Sequence, residues 1–203
     1  MPAVEMLCLA NSWKHGGRCV AGILDDGSWI RPVSAAGDGG LEASACRLDS
    51  GRAVDALDVV EIALAEPSPL PHQPENWTVA DETWKLVGKQ YLPYVRERLE
   101  RRLYDEPSIL GSVGPSVAWR YAQNRDHSLA LIKARRPRFR RGRDPTQFRV
   151  EFDYRGNTYD LPITFELLPT LGRSLSDWYL TVSLGEPYGS ACYKLVAGAI
   201  PVP

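Results

Sequence analysis

Gln147-Phe-Arg-Val-Glu-Phe-Asp-Tyr-Arg155 alternates apolar and polar residues without a break. In an extended chain, successive side chains point to opposite faces, so Phe148, Val150, Phe152 and Tyr154 share one face. That pattern predicts a strand with one buried side. Gly156-Asn157 then has the chemistry of a tight hairpin turn, and Thr158 to Thr164 reads as the returning strand. Outward from this hairpin, His127–Ala134 precedes it as a strand, and Trp178–Leu184 and Tyr193–Ile200 follow it. Five short antiparallel strands suit a small closed barrel, because closure removes exposed sheet edges.

The first third of the chain repeats the theme. Val4–Leu9, Arg18–Leu24, Ser28–Val33 and Leu57–Ala65 are apolar runs of strand length. Asp25-Asp-Gly-Ser28 joins the second and third as a hairpin turn. Residues 34–56 are rich in Gly, Ala, Ser and Asp and read as a loop. Pro67, Pro69, Pro71 and Pro74 enforce an extended, irregular segment. Between the two β-rich parts, Leu92, Val95, Leu99 and Leu103 recur at helical spacing, predicting a helix over Tyr91–Tyr104. A shorter helix is expected before it, with Thr78 as its cap.

The fold expected is therefore α+β and β-rich: two small antiparallel barrels of the oligonucleotide/oligosaccharide-binding (OB) type with a helical segment between them. The expected boundaries are a first β unit at 1–77, a helical connector at 78–121 and a second β unit at 122–203. A single larger mixed sheet is the rival arrangement. At 203 residues and 44% hydrophobic composition, the chain has enough apolar material for its cores without a staple. No run approaches the ~18 apolar residues that cross a bilayer. Cys8, Cys19, Cys46 and Cys192 form no C-x-x-C pair, and His15, His72 and His127 show no metal-ligand spacing. The expectation is a soluble cytoplasmic protein with reduced thiols and no metal or cofactor.

Charge is uneven. Residues 1–100 hold 9 Lys+Arg against 15 Asp+Glu, whereas residues 101–203 hold 15 against 10. The most basic stretch is Lys133-Ala-Arg-Arg-Pro-Arg-Phe-Arg-Arg-Gly-Arg143, with seven positive charges in eleven residues and no acid. Lys133, Arg135, Arg136, Arg138, Arg140, Arg141 and Arg143 interleaved with Phe139 suit a loop that tracks phosphates and stacks a base. The bland alternative is a solvated hairpin tip.

A second polar constellation is Asn11-Ser-Trp-Lys-His-Gly-Gly-Arg18. Gly16 and Gly17 allow a tight bend, so Lys14 and Arg18 could clamp a phosphate, with Asn11 and Ser12 adding hydrogen bonds. It lacks the pattern of a nucleotide P-loop. On the neighbouring strand, Trp29 and Arg31 either stack on a base or pack inside the barrel. The loop His72-Gln-Pro-Glu-Asn76 offers His72, Gln73 and Asn76 as further binding groups, and Glu186 is a lone acid between the last two strands. Lys14, Arg18 and Arg31 or His72 are expected to share one polar cleft. No local pairing of residues argues for an enzyme.

Asn11-Ser-x-Lys14, Gly17–Gly22, Trp29-Ile-Arg-Pro-Val-Ser34, His72–Asn76, Ser183–Pro187 and Tyr193–Ala197 resemble the bacterial dual OB-containing domain family across nearly the whole chain. The resemblance implies two OB-like barrels and a nucleic-acid or nucleotide ligand, and no established reaction. The run at 133–143 belongs to no motif of that resemblance and rests on charge alone. The expected function is binding of single-stranded DNA or RNA. The alternatives are a sensor or enzyme for a nucleotide-like small molecule at Asn11–Arg18, and a protein partner docked by the acidic half.

Overall fold

A computed structural model describes residues 3–14, 16–35, 39–80, 83–166 and 171–202, with Lys14 described by its backbone alone. Two compact units emerge: residues 1–70 with 74–98, and residues 71–73 with 99–203. The division falls at Arg98/Leu99 rather than at 77/78 and 121/122.

In the first unit, β1 (Ala3–Lys14), β2 (Gly17–Ile23), β3 (Trp29–Val33), β4 (Asp58–Pro67) and β5 (Asn76–Val79) form a closed ring in the order β1-β2-β3-β5-β4-β1. β1 is long enough to serve two neighbours. Its first half pairs with β4 and its second half with β2, with Leu7 common to both. A bulge between Cys8 and Ala10 bends it around the ring. β3 and β5 run parallel, Arg31 beside Asn76, and they close the ring. The turn after β2 is the expected one: Gly27 takes φ 80°, and the Asp26 carboxylate accepts from the Ser28 amide and hydroxyl. The inward side chains, among them Met6, Cys8, Val20, Ile30, Val60, Ile62 and Leu64, make the core, which Leu41, Leu48 and Trp84 complete from outside the ring strands.

β6 (Lys85–Lys89) lies antiparallel on β4. This corrects the expectation of a short helix there. Thr78 caps nothing: it lies in β5, and its hydroxyl donates to the Glu66 carbonyl at 3.0 Å. Helix α1 (Leu92–Glu100) stops short of Tyr104, because Leu103 bridges Leu131 and the Tyr104 amide donates to the Leu131 carbonyl.

In the second unit, β8 (Leu129–Ala134) and β9 (Arg138–Arg141) are two parts of one bent line of chain. β9 pairs with β10 (Phe148–Tyr154), which pairs with β11 (Asn157–Pro162), while β12 (Gly172–Arg173) pairs with the other edge of β9. β8 pairs with β13 (Trp178–Tyr188), β13 with β14 (Ala191–Pro201), and β14 with β7 (Ser116–Ala118). A parallel bridge, Ile163 beside Val196, carries the chain beyond β11 to β14. With β8 and β9 counted as one strand, the ring order repeats that of the first unit. The alternating face expected from the sequence is inward: Val150, Phe152 and Tyr154 join the core, with Phe148 packed against it. A short helix α2 (Trp119–Ala122) and a 3-10 turn (Ile109–Gly111) precede β8. Tyrosines fix that turn, Tyr159 accepting from the Ile109 amide and Tyr104 from the Leu110 amide, each at 3.0 Å.

Gly22 on β2 is required by close approach. A Cβ there would sit 2.3 Å from the Leu7 carbonyl oxygen and 2.6 Å from the Met6 side chain. Gly22→Ala is expected to destabilise the first unit by about 1–3 kcal/mol or more, read as a lower denaturant midpoint. A loss under about 0.5 kcal/mol would mean that β1 yields without cost.

Candidate functional site

The Arg-rich stretch falls on the β8–β9 bend, β9 and the β9–β10 hairpin. Strand alternation sends Phe139 inward and Arg138 and Arg140 outward. Phe139 is only 3% exposed and meets Trp178 edge-on at 5.0 Å between centroids. The expected base-stacking role of Phe139 is thus corrected: it is a core residue.

The outward face of this sheet is a ladder of charges. Arg138 lies between Arg173 of β12 and Glu151 of β10, and Arg140 lies beside Arg149. Arg140 and Arg149 both bond the Asp160 carboxylate on β11. Lys133 pairs with Glu100 at 2.7 Å. Arg141 donates to the Pro145 carbonyl at 2.6 Å and lies over the Phe148 ring. Four guanidinium groups are left over. Arg135, Arg136, Arg138 and Arg143 are exposed, and none has a carboxylate partner among the described residues. Arg136 holds a left-handed backbone, φ 45°, and its carbonyl accepts from Arg173 at 3.4 Å. Beside it, Arg135, Arg136, Leu175, Ser176, Asp177 and Val202 line an open depression of about 360 Å³. Arg149 was legible in the β10 alternation; Arg173 carried no local signal.

The Asn11–Arg18 constellation is less of a loop than the sequence suggests. Asn11, Ser12 and Lys14 belong to β1 and Arg18 to β2. The Asn11 amide donates to the Val54 carbonyl at 2.7 Å, and Ser12 is buried with its hydroxyl toward the Cys19 carbonyl. The Lys14 side chain and His15 lie outside the described residues. Arg18 lays its guanidinium 3.6 Å over the ring of Trp13, which is 51% exposed. Trp13 escaped the sequence reading because its neighbours looked more chemical.

Arg31 does not face a cleft. It is buried, with Nε and Nη2 on one oxygen of Glu75 at 3.2 and 2.8 Å and Nη1 on the Cys19 sulfur at 3.3 Å. The expected shared cleft of Arg18 with Arg31 is therefore corrected: Arg18 is at the surface and Arg31 in a buried ion pair. Trp29 is half-buried at the start of β3, and Asn76 is buried at the start of β5.

His72 and Gln73 belong to the second unit. His72 Nε2 lies 3.2 Å from a Glu186 carboxylate oxygen and its ring 5.7 Å from that of Trp119, while Gln73 donates to the Leu184 carbonyl. These groups bind the second barrel's own chain. Among the described residues, no three His, Cys, Asp or Glu side chains converge to hold a metal, and no helix is long and apolar enough to cross a membrane. The four cysteines form no disulfide.

No curated protein matches the chain. It is similar to a solved structure of a murine DNA-binding protein bound with double-stranded DNA, with 7% identity over 100% of this chain and 98% of that one, at a TM-score of 0.38. The family model of the dual OB-containing domain matches residues 4–199. The ring order of both units is that of the OB barrel, and with a match spanning almost its whole length the chain belongs to the dual OB-containing domain family.

Proposed function

We propose that the protein binds single-stranded nucleic acid through the basic arm of its second barrel. The observation that carries this reading is the set of four exposed guanidiniums, Arg135, Arg136, Arg138 and Arg143, with neither a carboxylate partner nor a side-chain hydrogen bond among the described residues, whereas Arg141 is held by the Pro145 carbonyl. Arg143 lies on the loop from the first strand of the barrel to its second, a loop that OB folds use for oligonucleotides, and Arg135, Arg136 and Arg138 lie on the first strand and its bend leading to it. Arg138 stands on β9, whose inner face is core, while Arg135 and Arg136 lie at the β8–β9 bend and Arg143 in the β9–β10 hairpin. Arg140 and Lys133 are already neutralised by Asp160 and Glu100, so they add little.

Each phosphate contact to a single strand contributes a slope of about −0.7 to log affinity against log salt. Four contacts predict a slope of about −3. Replacing Arg135, Arg136, Arg138 and Arg143 together by Gln is expected to flatten most of it. Lys133→Gln is expected to leave the slope nearly unchanged. Fluorescence polarisation with single-stranded DNA, single-stranded RNA and duplex over a salt series reads both. An unaltered slope in the folded fourfold variant would sink this reading and favour the nucleotide-like ligand.

A further inference from the structure

We propose that Trp13, braced by Arg18 on the β1–β2 hairpin of the first unit, is a stacking platform for an unpaired nucleobase. All six tryptophans are among the described residues, and Trp13 is the exposed one. Trp84 is buried, and Trp77, Trp119 and Trp178 pack against the two cores. Strand geometry explains the exception. Ser12 points inward, so Trp13 points out, directly across from Arg18.

The brace is rigid. The Arg18 backbone pairs with Trp13 on one side and exchanges two hydrogen bonds with Leu41 on the other, at 2.6 and 2.8 Å. Its guanidinium therefore covers the ring from a fixed origin, 3.6 Å from the centroid. A cation on a π-face fixes the indole orientation before any ligand arrives. Gly16 makes the turn between the two strands at φ 89°. Arg18, the cation against the ring, is already spent on its π-face. The platform's ligand is thus recognised by its flat aromatic face, and the site is tolerant of base identity because every base has such a face. The ligand class rests on the nucleic-acid reading, but the site, the unit and the kind of contact are different.

The test uses the full chain and two oligonucleotides of equal phosphate count, one an oligothymidylate and one abasic throughout. Trp13→Ala is expected to weaken binding of the thymidylate by about five- to 150-fold, with the salt slope unchanged. Trp13→Phe is expected to retain most of the affinity, and both variants should bind the abasic strand as the parent does. Thermal unfolding that matches the parent shows that the hairpin has not been lost. Parent-like thymidylate binding by Trp13→Ala overturns the proposal, as does equal weakening for both strands. If Trp13→Ala weakens binding while the fourfold Arg→Gln variant does not, the platform stands and the electrostatic reading falls. If the reverse holds, only the platform falls. If the parent binds neither strand, both fall.

Discussion

Glu75→Ala is expected to cost the first unit about 3–5 kcal/mol. The Arg31 and Glu75 side chains are 3% and 5% exposed, and a single carboxylate oxygen takes two of the guanidinium's bonds. Burial works against the Arg31 cation, but Cys19 and the Glu75 carboxylate outweigh it and raise its pKa above the ordinary value. Arginine has no neutral form to retreat to, so removing Glu75 leaves an uncompensated charge inside the barrel. Urea unfolding monitored by circular dichroism reads the loss. A loss under about 1 kcal/mol, the scale of an exposed pair such as Lys85–Glu61, would refute the assignment. Replacing both partners together by Met and Leu is expected to be close to neutral, since no charge is stranded.

The second barrel holds a buried lysine, and its effect is on pH dependence. Lys194 on β14 is 1% exposed, with Nζ bonded to the Ser112 carbonyl and hydroxyl and the Gly114 carbonyl. Burial, helped by repulsion from Arg125, pushes its pKa from 10.5 down to about 7. Between those values the unfolded chain holds a proton that the folded chain has released, so stability rises with pH across that window. The cost is full below pH 7 and gone above the unfolded pKa. A displacement of that size corresponds to about 5 kcal/mol at most. Lys194→Met should remove this rise. The difference in unfolding free energy between parent and variant, measured from pH 6 to 9, should change by a few kcal/mol. A difference that stays flat over pH 7–9 would exclude the effect. Above pH 9 the buried Cys8 thiol, pushed up by burial, acts in the opposite direction: unfolding lets it ionise.

What the sequence revealed follows from which signals are local. Period-two alternation at Phe148–Tyr154 and the Asp26-Gly27 turn are local, and the strands and hairpin stand where they point. The charge run at 133–143 was visible, but which of its members are spent was not. Arg140 is neutralised by Asp160, twenty residues away in sequence, and Phe139 is hidden because β9 is a strand rather than a loop. The Arg31 partner was missed for the same reason: Glu75 is 44 residues away and arrives through the parallel β3–β5 pairing. β6 was misread as helix because a short exposed strand shows no buried face of its own, and its identity comes from the edge of β4. Trp13 was overlooked because Asn11, Lys14 and Arg18 around it carry the polar chemistry, and its place opposite Arg18 shows only once β1 and β2 are paired.

Three residues, Pro71 to Gln73, sit between the chain segments of the first unit yet belong to the second. This has a consequence for anyone dividing the protein. No single cut separates the two barrels cleanly. A fragment ending at Arg98 carries His72 and Gln73 away from Glu186 and Leu184, leaving two normally buried polar side chains in water. A fragment beginning at Leu99 lacks the ring that packs on Trp119. Limited proteolysis, domain swapping between relatives and split-protein complementation all meet the same obstacle. A faithful second half must be given that tripeptide back, by permutation or by adding it as a free peptide.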